Sequence, residues 1–187
     1  MKKHTYGYLF LKFSKLSRLM KFFTISFLLL FFVRCNNAPD SVKKELNEIV
    51  KEIMKNAKNC AFITIDSLGV AHARAMDPFS PEEDFTVWMA TKPSSLKIKQ
   101  LQANNNVTLY YFDKESVSYV TLQGTASIVN SRNEKEKFWK KEWKNFYKNR
   151  TSDYALIKFI PKAGNVISEK YKILGDSITW ETPKINF

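Results

Sequence analysis

Histidine is almost missing from this chain of 187 residues, with only His4 and His72 present. A zinc cluster or a Ser-His-Asp site would have to be built around His72 alone, because His4 lies in a stretch with the marks of a targeting segment. Glycine is scarce too, and the five at positions 7, 69, 124, 164 and 175 are scattered. That excludes a Gly-rich phosphate loop and argues against a dinucleotide-type fold. Of the two cysteines, only Cys60 follows Cys35, so a chain processed at Cys35 has no partner for an intramolecular structural disulfide. Cys60 opens an apolar run and reads as a buried small hydrophobe.

A hydrophobic run long enough to cross a membrane is also lacking. Phe22 to Val33 is apolar except for Thr24 and Ser26, but it stops at Arg34, short of the roughly 20 residues a spanning helix needs. Lys12, Lys15, Arg18 and Lys21 precede it, which gives the form of an export signal. Cys35 follows directly and is succeeded by the polar segment Asn36-Asn37-Ala38-Pro39, as at the cleavage site of a lipoprotein precursor, with Arg34 where a small residue is usual. Met20-Lys21-Phe22-Phe23 offers a second start for a compact precursor. The division expected is an export signal of lipoprotein type over 1–35, a linker over 36–40 and one domain over 41–187. The product is then periplasmic or membrane-anchored, with Cys35 the candidate lipidation site and the membrane engaged only through the signal or its lipid.

Excess acid is absent, yet the formal charge of +12 misleads. Seven of the 30 basic residues and none of the 18 acidic ones lie in the first 35 positions, so the rest carries +5. That is ordinary for a surface and gives no reason to expect nucleic acid as a partner.

What is present reads as an α+β domain around a partly closed antiparallel barrel. Apolar residues at helical spacing over Ser41 to Lys58 predict a surface helix with Ser41 as N-cap. Cys60–Ile65 and Val70–Met76, joined by Asp66-Ser67-Leu68-Gly69, predict a hairpin. Further strands are predicted over Phe85–Thr91, Val107–Phe112, Tyr119–Val129 and Tyr154–Ile160, the last stopped by Pro161, with short closing strands at Val166–Ser168 and Ile178–Trp180. Between them fall a short helix over Leu96–Ala103, with Leu96 and either Leu101 or Ile98 inward and Gln100 outward, and a third helix over Glu134–Lys148. The third helix carries an aromatic stripe of Phe138, Trp139, Trp143, Phe146 and Tyr147 that reads as core, with lysines on its wet face.

The chemistry concentrates at Arg74, in the second strand, and at Thr91-Lys92-Pro93-Ser94-Ser95-Leu96-Lys97, which runs into a helix N-terminus. Free backbone N–H groups and the helix dipole favour an anion there. Hydroxyls of Thr91 and Ser95 add donors, Lys97 adds charge and Arg74 could close the far side. Serines before a helix also serve as plain N-caps, and the pattern alone leaves both readings open.

The order Arg74-Ala75-Met76, Trp88-Met89-Ala90-Thr91, Ser95-Leu96-Lys97 and Tyr119-Val120-Thr121-Leu122-Gln123-Gly124-Thr125-Ala126 resembles the pyridoxamine 5′-phosphate oxidase-like split barrels, in particular their general stress protein branch, from about Val42 to about Ser168. The resemblance implies a split β-barrel homodimer that binds flavin mononucleotide (FMN). Arg74, Ser95 and Lys97 would hold the phosphate, and Met89, Ala90 and Thr91 would lie along the edge of the flavin ring. Trp88, which alternates away from Met89, would pack in the core. Tyr119, where the oxidases proper have a flavin-contacting glutamine, and Gln123 beside Gly124 complete the cofactor-binding set.

No catalytic side chain or metal site is assigned, because the flavin would carry any electron chemistry. Leu96 stands where the family's motif commonly has a second phosphate-binding arginine. Losing one charge-assisted hydrogen bond costs about 1.5–3 kcal/mol, or one to two orders of magnitude in affinity. The alternative implied by Leu96 and Tyr119 is a noncatalytic module for haem, a deazaflavin or a B6 phosphate, or a degenerate scaffold. His72 reads as a surface or interface histidine, and Trp180 as ordinary packing.

Overall fold

A computed structural model describes residues 40–187; the expected export signal and Cys35 lie outside the described residues. Helix α1 (Asp40–Ala57) buries Val50, Ile53 and Met54, which recur at helical spacing. Ser41 lies inside the helix rather than capping it. Lys58, with a left-handed φ of 61°, ends the helix and turns the chain into the sheet.

Strands β1 (Cys60–Ile65) and β2 (Ala71–Met76) form the expected hairpin. Its turn is set by Asp66, whose carboxylate accepts from the N–H groups of Leu68 and Val70, and by Gly69, whose φ of +81° suits a residue without Cβ. Then follow β3 (Val87–Thr91), α2 (Leu96–Ala103), β4 (Asn106–Asp113), β5 (Ser118–Val129), the single-turn helix α3 (Arg132–Lys137), a 3₁₀ turn over Lys141–Asn145, β6 (Ala155–Ser168) and β7 (Lys184–Asn186). All pairings are antiparallel, in the order β2-β1-β4-β5-β6-β3 with β7 on β6. No ladder joins β2 to β3 among the described residues, so the barrel stays open between them. The α+β class expected from the pattern is the one observed.

Alternation sorts the strands into two apolar layers. Phe62, Met89, Leu109, Val120, Leu122, Ile157 and Phe159, all essentially inaccessible, fill the barrel together with the inner face of α1. On the other side of β3 and β6, Trp88, Phe138, Trp143, Tyr154 and Leu156 form a second cluster. There Trp88 stacks on Phe138 at 4.2 Å and its Nε1 donates to Glu82.

Three further expectations need correction. Strand β6 is not stopped by Pro161 but runs on to Ser168, because Pro161 sits opposite Gly124 where the β5–β6 register shifts, a place where a missing N–H costs little. A Cβ on Gly124 would stand 2.1 Å from the Ile160 carbonyl oxygen, so glycine is what lets the two strands cross. The third helix breaks after Lys137: Phe138 takes φ −97° and ψ 61°, and Lys140 is extended before the 3₁₀ turn. The closing strand is Lys184–Asn186 rather than Ile178–Trp180, whose Trp180 is 84% exposed.

Candidate functional site

Strand alternation turns Arg74 to the same side of β2 as His72 and Met76, facing α2. Its Nη1 donates to Thr64 Oγ1 at 2.7 Å and to the Phe62 carbonyl at 3.4 Å, and its Nη2 to Gln100 Oε1 at 2.8 Å. Thr64 Oγ1 also donates to Gln100 Oε1 at 2.7 Å. Both Thr64 and Gln100 are buried, so the guanidinium is aimed by neutral acceptors in a partly dry setting, and burial lowers its pKa from the usual arginine value. Gln100 faces inward and Leu96 outward, the reverse of the expectation for that helix.

One turn before Gln100, Lys97 Nζ donates to Thr91 Oγ1 at 2.8 Å, and Thr91 Oγ1 donates to Ser95 Oγ at 3.1 Å. The Lys97 pKa is lowered, first by burial and then by the charge of Arg74. The two cations therefore sense each other, and among the described residues neither is in an ion pair with a carboxylate. Ser95 occupies the N-cap position of α2 but makes no side-chain capping bond. Its hydroxyl faces Thr91 instead, and the first-turn amides keep their donors uncapped by that side chain. Two unneutralised cations, two hydroxyls and a helix N-terminus fit a dianionic phosphate.

Ala90, Thr91, Ser95 and Lys97 line one side of a cleft of about 700 Å³, whereas Arg74, on the opposite face of β2 from the cleft residue Ala75, is not among its lining residues. The other side is a wall that sequence reasoning missed, formed by Trp143, Phe146 and Tyr147 from the 3₁₀ turn and the residues after it. Asp77, just past β2, ties the wall down by accepting from Lys140 Nζ at 2.5 Å and Trp143 Nε1 at 3.2 Å. Periodicity had placed the aromatic stripe wholly in the core, and no glycine or proline marks the break that turns its end toward the cleft.

Three other expected site residues lie elsewhere in the protomer. Met89 is fully buried in the barrel, so its side chain does not line the cleft. Tyr119 sits on the outer face of β5, its ring 5.7 Å from that of Tyr110. Gln123, which is exposed, lines a separate concavity of about 470 Å³ with Ile63, Ala71, Asn106 and Lys162. Outside the cleft, His72 Nε2 is 2.8 Å from Asp66 Oδ2 in the hairpin, and burial pushes the Cys60 thiol up to about 12. Among the described residues no three His, Cys, Asp or Glu side chains are placed to hold a metal, and no helix is long and apolar enough to cross a membrane.

The family model described as pyridoxamine 5′-phosphate oxidase like matches residues 44–178. Among solved structures, general stress protein 26 from Bacillus anthracis str. Sterne is 28% identical, with 65% of this chain and 93% of that one covered at a TM-score of 0.58. A general stress protein 26-related protein of Clostridium acetobutylicum is 21% identical over 80% of this chain and 97% of that one, at 0.62. A pyridoxamine 5′-phosphate oxidase-related, FMN binding protein of Nostoc punctiforme PCC 73102 is 10% identical over 81% and 98%, at 0.56. These likenesses give the fold as the split barrel of that family. The search of curated proteins returned no match.

Proposed function

The chain belongs to the pyridoxamine 5′-phosphate oxidase like family, and from that premise we propose that it binds FMN on the side of the cleft formed by the end of β3 and the start of α2. The observation that carries this reading is Lys97 bonded to the Thr91 hydroxyl, which bonds that of Ser95 at the mouth of α2, with the charge of Arg74 felt nearby and, among the described residues, no carboxylate paired with either cation. Thr91, Ser95 and Lys97, which line the cleft, would hold the phosphate, Arg74 would add its charge from beside it, and Ala90 would border the ring. When bound, the flavin supplies hydride or single-electron transfer at its ring. The chain's own contribution is to bind, orient and partly desolvate it, so the function proposed is that of a flavoprotein with oxidoreductase or stress-related redox activity.

Incubation of the purified chain with FMN is expected to leave a bound-flavin absorption spectrum after gel filtration. Arg74→Ala or Lys97→Ala is expected to weaken binding about tenfold to a hundredfold, the loss of one charge-assisted bond each. A chain that retains no flavin, or one indifferent to both substitutions, overturns the proposal.

The protein would act as a homodimer. The support is a sheet face without charge: Ala71, Ala73 and Ala75 of β2 are exposed, and Ile65, Tyr110 and Phe112 on the neighbouring strands remain 37%, 36% and 50% accessible. Ala75 also lines the cleft, so a second copy seated on this face would border the ligand. Export and anchoring through Cys35 rest on residues 1–35 of the sequence. Fatty-acid labelling of the expressed protein, lost in Cys35→Ser, tests the anchor; no label on the unaltered chain removes it.

A further inference from the structure

The geometry points to a second ligand position in the same cleft: the wall of Trp143, Phe146 and Tyr147 receives an uncharged planar aromatic molecule beside the phosphate-bearing cofactor. The inference rests on the flavin reading only for what lies opposite the wall. Phe146 is 69% exposed and enters no aromatic pair among the described residues. Trp143 and Tyr147, by contrast, are packed into the second cluster through rings 6.1 Å apart and through Tyr154. A large free ring backed by two fixed ones is a stacking surface with one side unused.

The helix break puts it there. Had the helix continued from Glu134 to Lys148, Phe146 would stand over Trp139 and Trp143 on the core side. The extended residue at Lys140 and the ties from Asp77 to Lys140 and Trp143 re-aim the end of the stripe at the cradle. The wall is therefore anchored to the segment that leaves β2, the strand that also carries Arg74.

Charge selects the class of occupant. Lys140 is neutralised by Asp77, Lys97 is turned to the cradle through Thr91, and Glu142 and Lys92 oppose each other in sign at the rim. The surface left to the second ligand is apolar with no net charge, which suits a neutral ring and disfavours an anion such as a second phosphate.

The test is calorimetric titration of the purified, FMN-incubated chain with 1-naphthol, alongside Phe146→Ala and Phe146→Tyr. Because Phe146 is exposed, neither change threatens folding. Expected are naphthol binding to the unaltered chain, about tenfold weaker binding in Phe146→Ala, near-normal binding in Phe146→Tyr, and an FMN affinity changed by less than about twofold in both. Naphthol binding indifferent to Phe146→Ala, or a parallel fall in FMN affinity that makes the wall part of the flavin site, overturns the inference. If the unaltered chain takes up no FMN yet binds naphthol through Phe146, the flavin reading fails and this one stands.

Discussion

At the scale of single residues, the site depends on desolvation balanced by neutral hydrogen bonds. Arg74 was legible in the sequence because strand alternation alone turns it away from the alanines of β2. Gln100 was not, because a glutamine on a short helix reads as a wet-face residue until the buried Thr64 and the guanidinium are seen to need its carbonyl oxygen. Cys60 shows the same physics without function. Burial holds its thiol protonated up to about 12, whereas in the unfolded chain it ionises near 9.0. The folded state thus binds the proton more tightly, and the stability present below pH 9.0 is lost as pH rises toward 12, by about 1.4 kcal/mol per pH unit. Urea midpoints at pH 8 and pH 10 are expected to show that loss, and Cys60→Ala is expected to diminish it. Iodoacetamide at pH 8 is expected to spare Cys60 in the folded chain, as peptide mapping that separates it from Cys35 will show.

At the scale of elements, the sequence revealed those bounded by local chemistry. Helix α2 begins after Pro93-Ser94-Ser95 and ends at Asn104 as its flanks predict, and the β1–β2 hairpin follows its Asp-to-Gly turn. Pro161 misled because its effect depends on a partner strand: opposite a register shift it interrupts no needed bond. The helix over Glu134–Lys148 misled because the forces that break it come from a distant segment, Asp77 and Pro78, both of which accept from Lys140. Gly124→Ala would force a Cβ into the Ile160 carbonyl, and the two longest strands would have to separate. A stability loss of about 3 kcal/mol or more is expected, measurable by urea denaturation; a loss of less than about 1 kcal/mol contradicts the crossing geometry.

At the scale of the molecule, the charge-free face of β2, β1 and β4 stands out on a chain in which 26% of residues are charged. If a second copy covers it, sedimentation will give twice the mass of the chain. Ala73→Arg, which puts a long cation at its centre on the edge strand, is expected to shift the population to monomer with little change in the urea midpoint. A dimer that survives Ala73→Arg intact would place the contact on another face.

The strand order carries one more consequence, for the route by which the chain acquires its ligand. Strands β1, β2, β4 and β5 come together through neighbours close in sequence, apart from the short excursion through β3 and α2. Among the described residues strand β3 finds its ladder only on β6, so Thr91 must wait for Ala155, which follows β4, β5 and the aromatic wall in the chain. Long-range closure of this kind is the slow part of assembling a sheet. Because Thr91 and the wall both border the cleft, the binding pocket exists only once this closure is made, and occupancy becomes a signature of chains that have passed it.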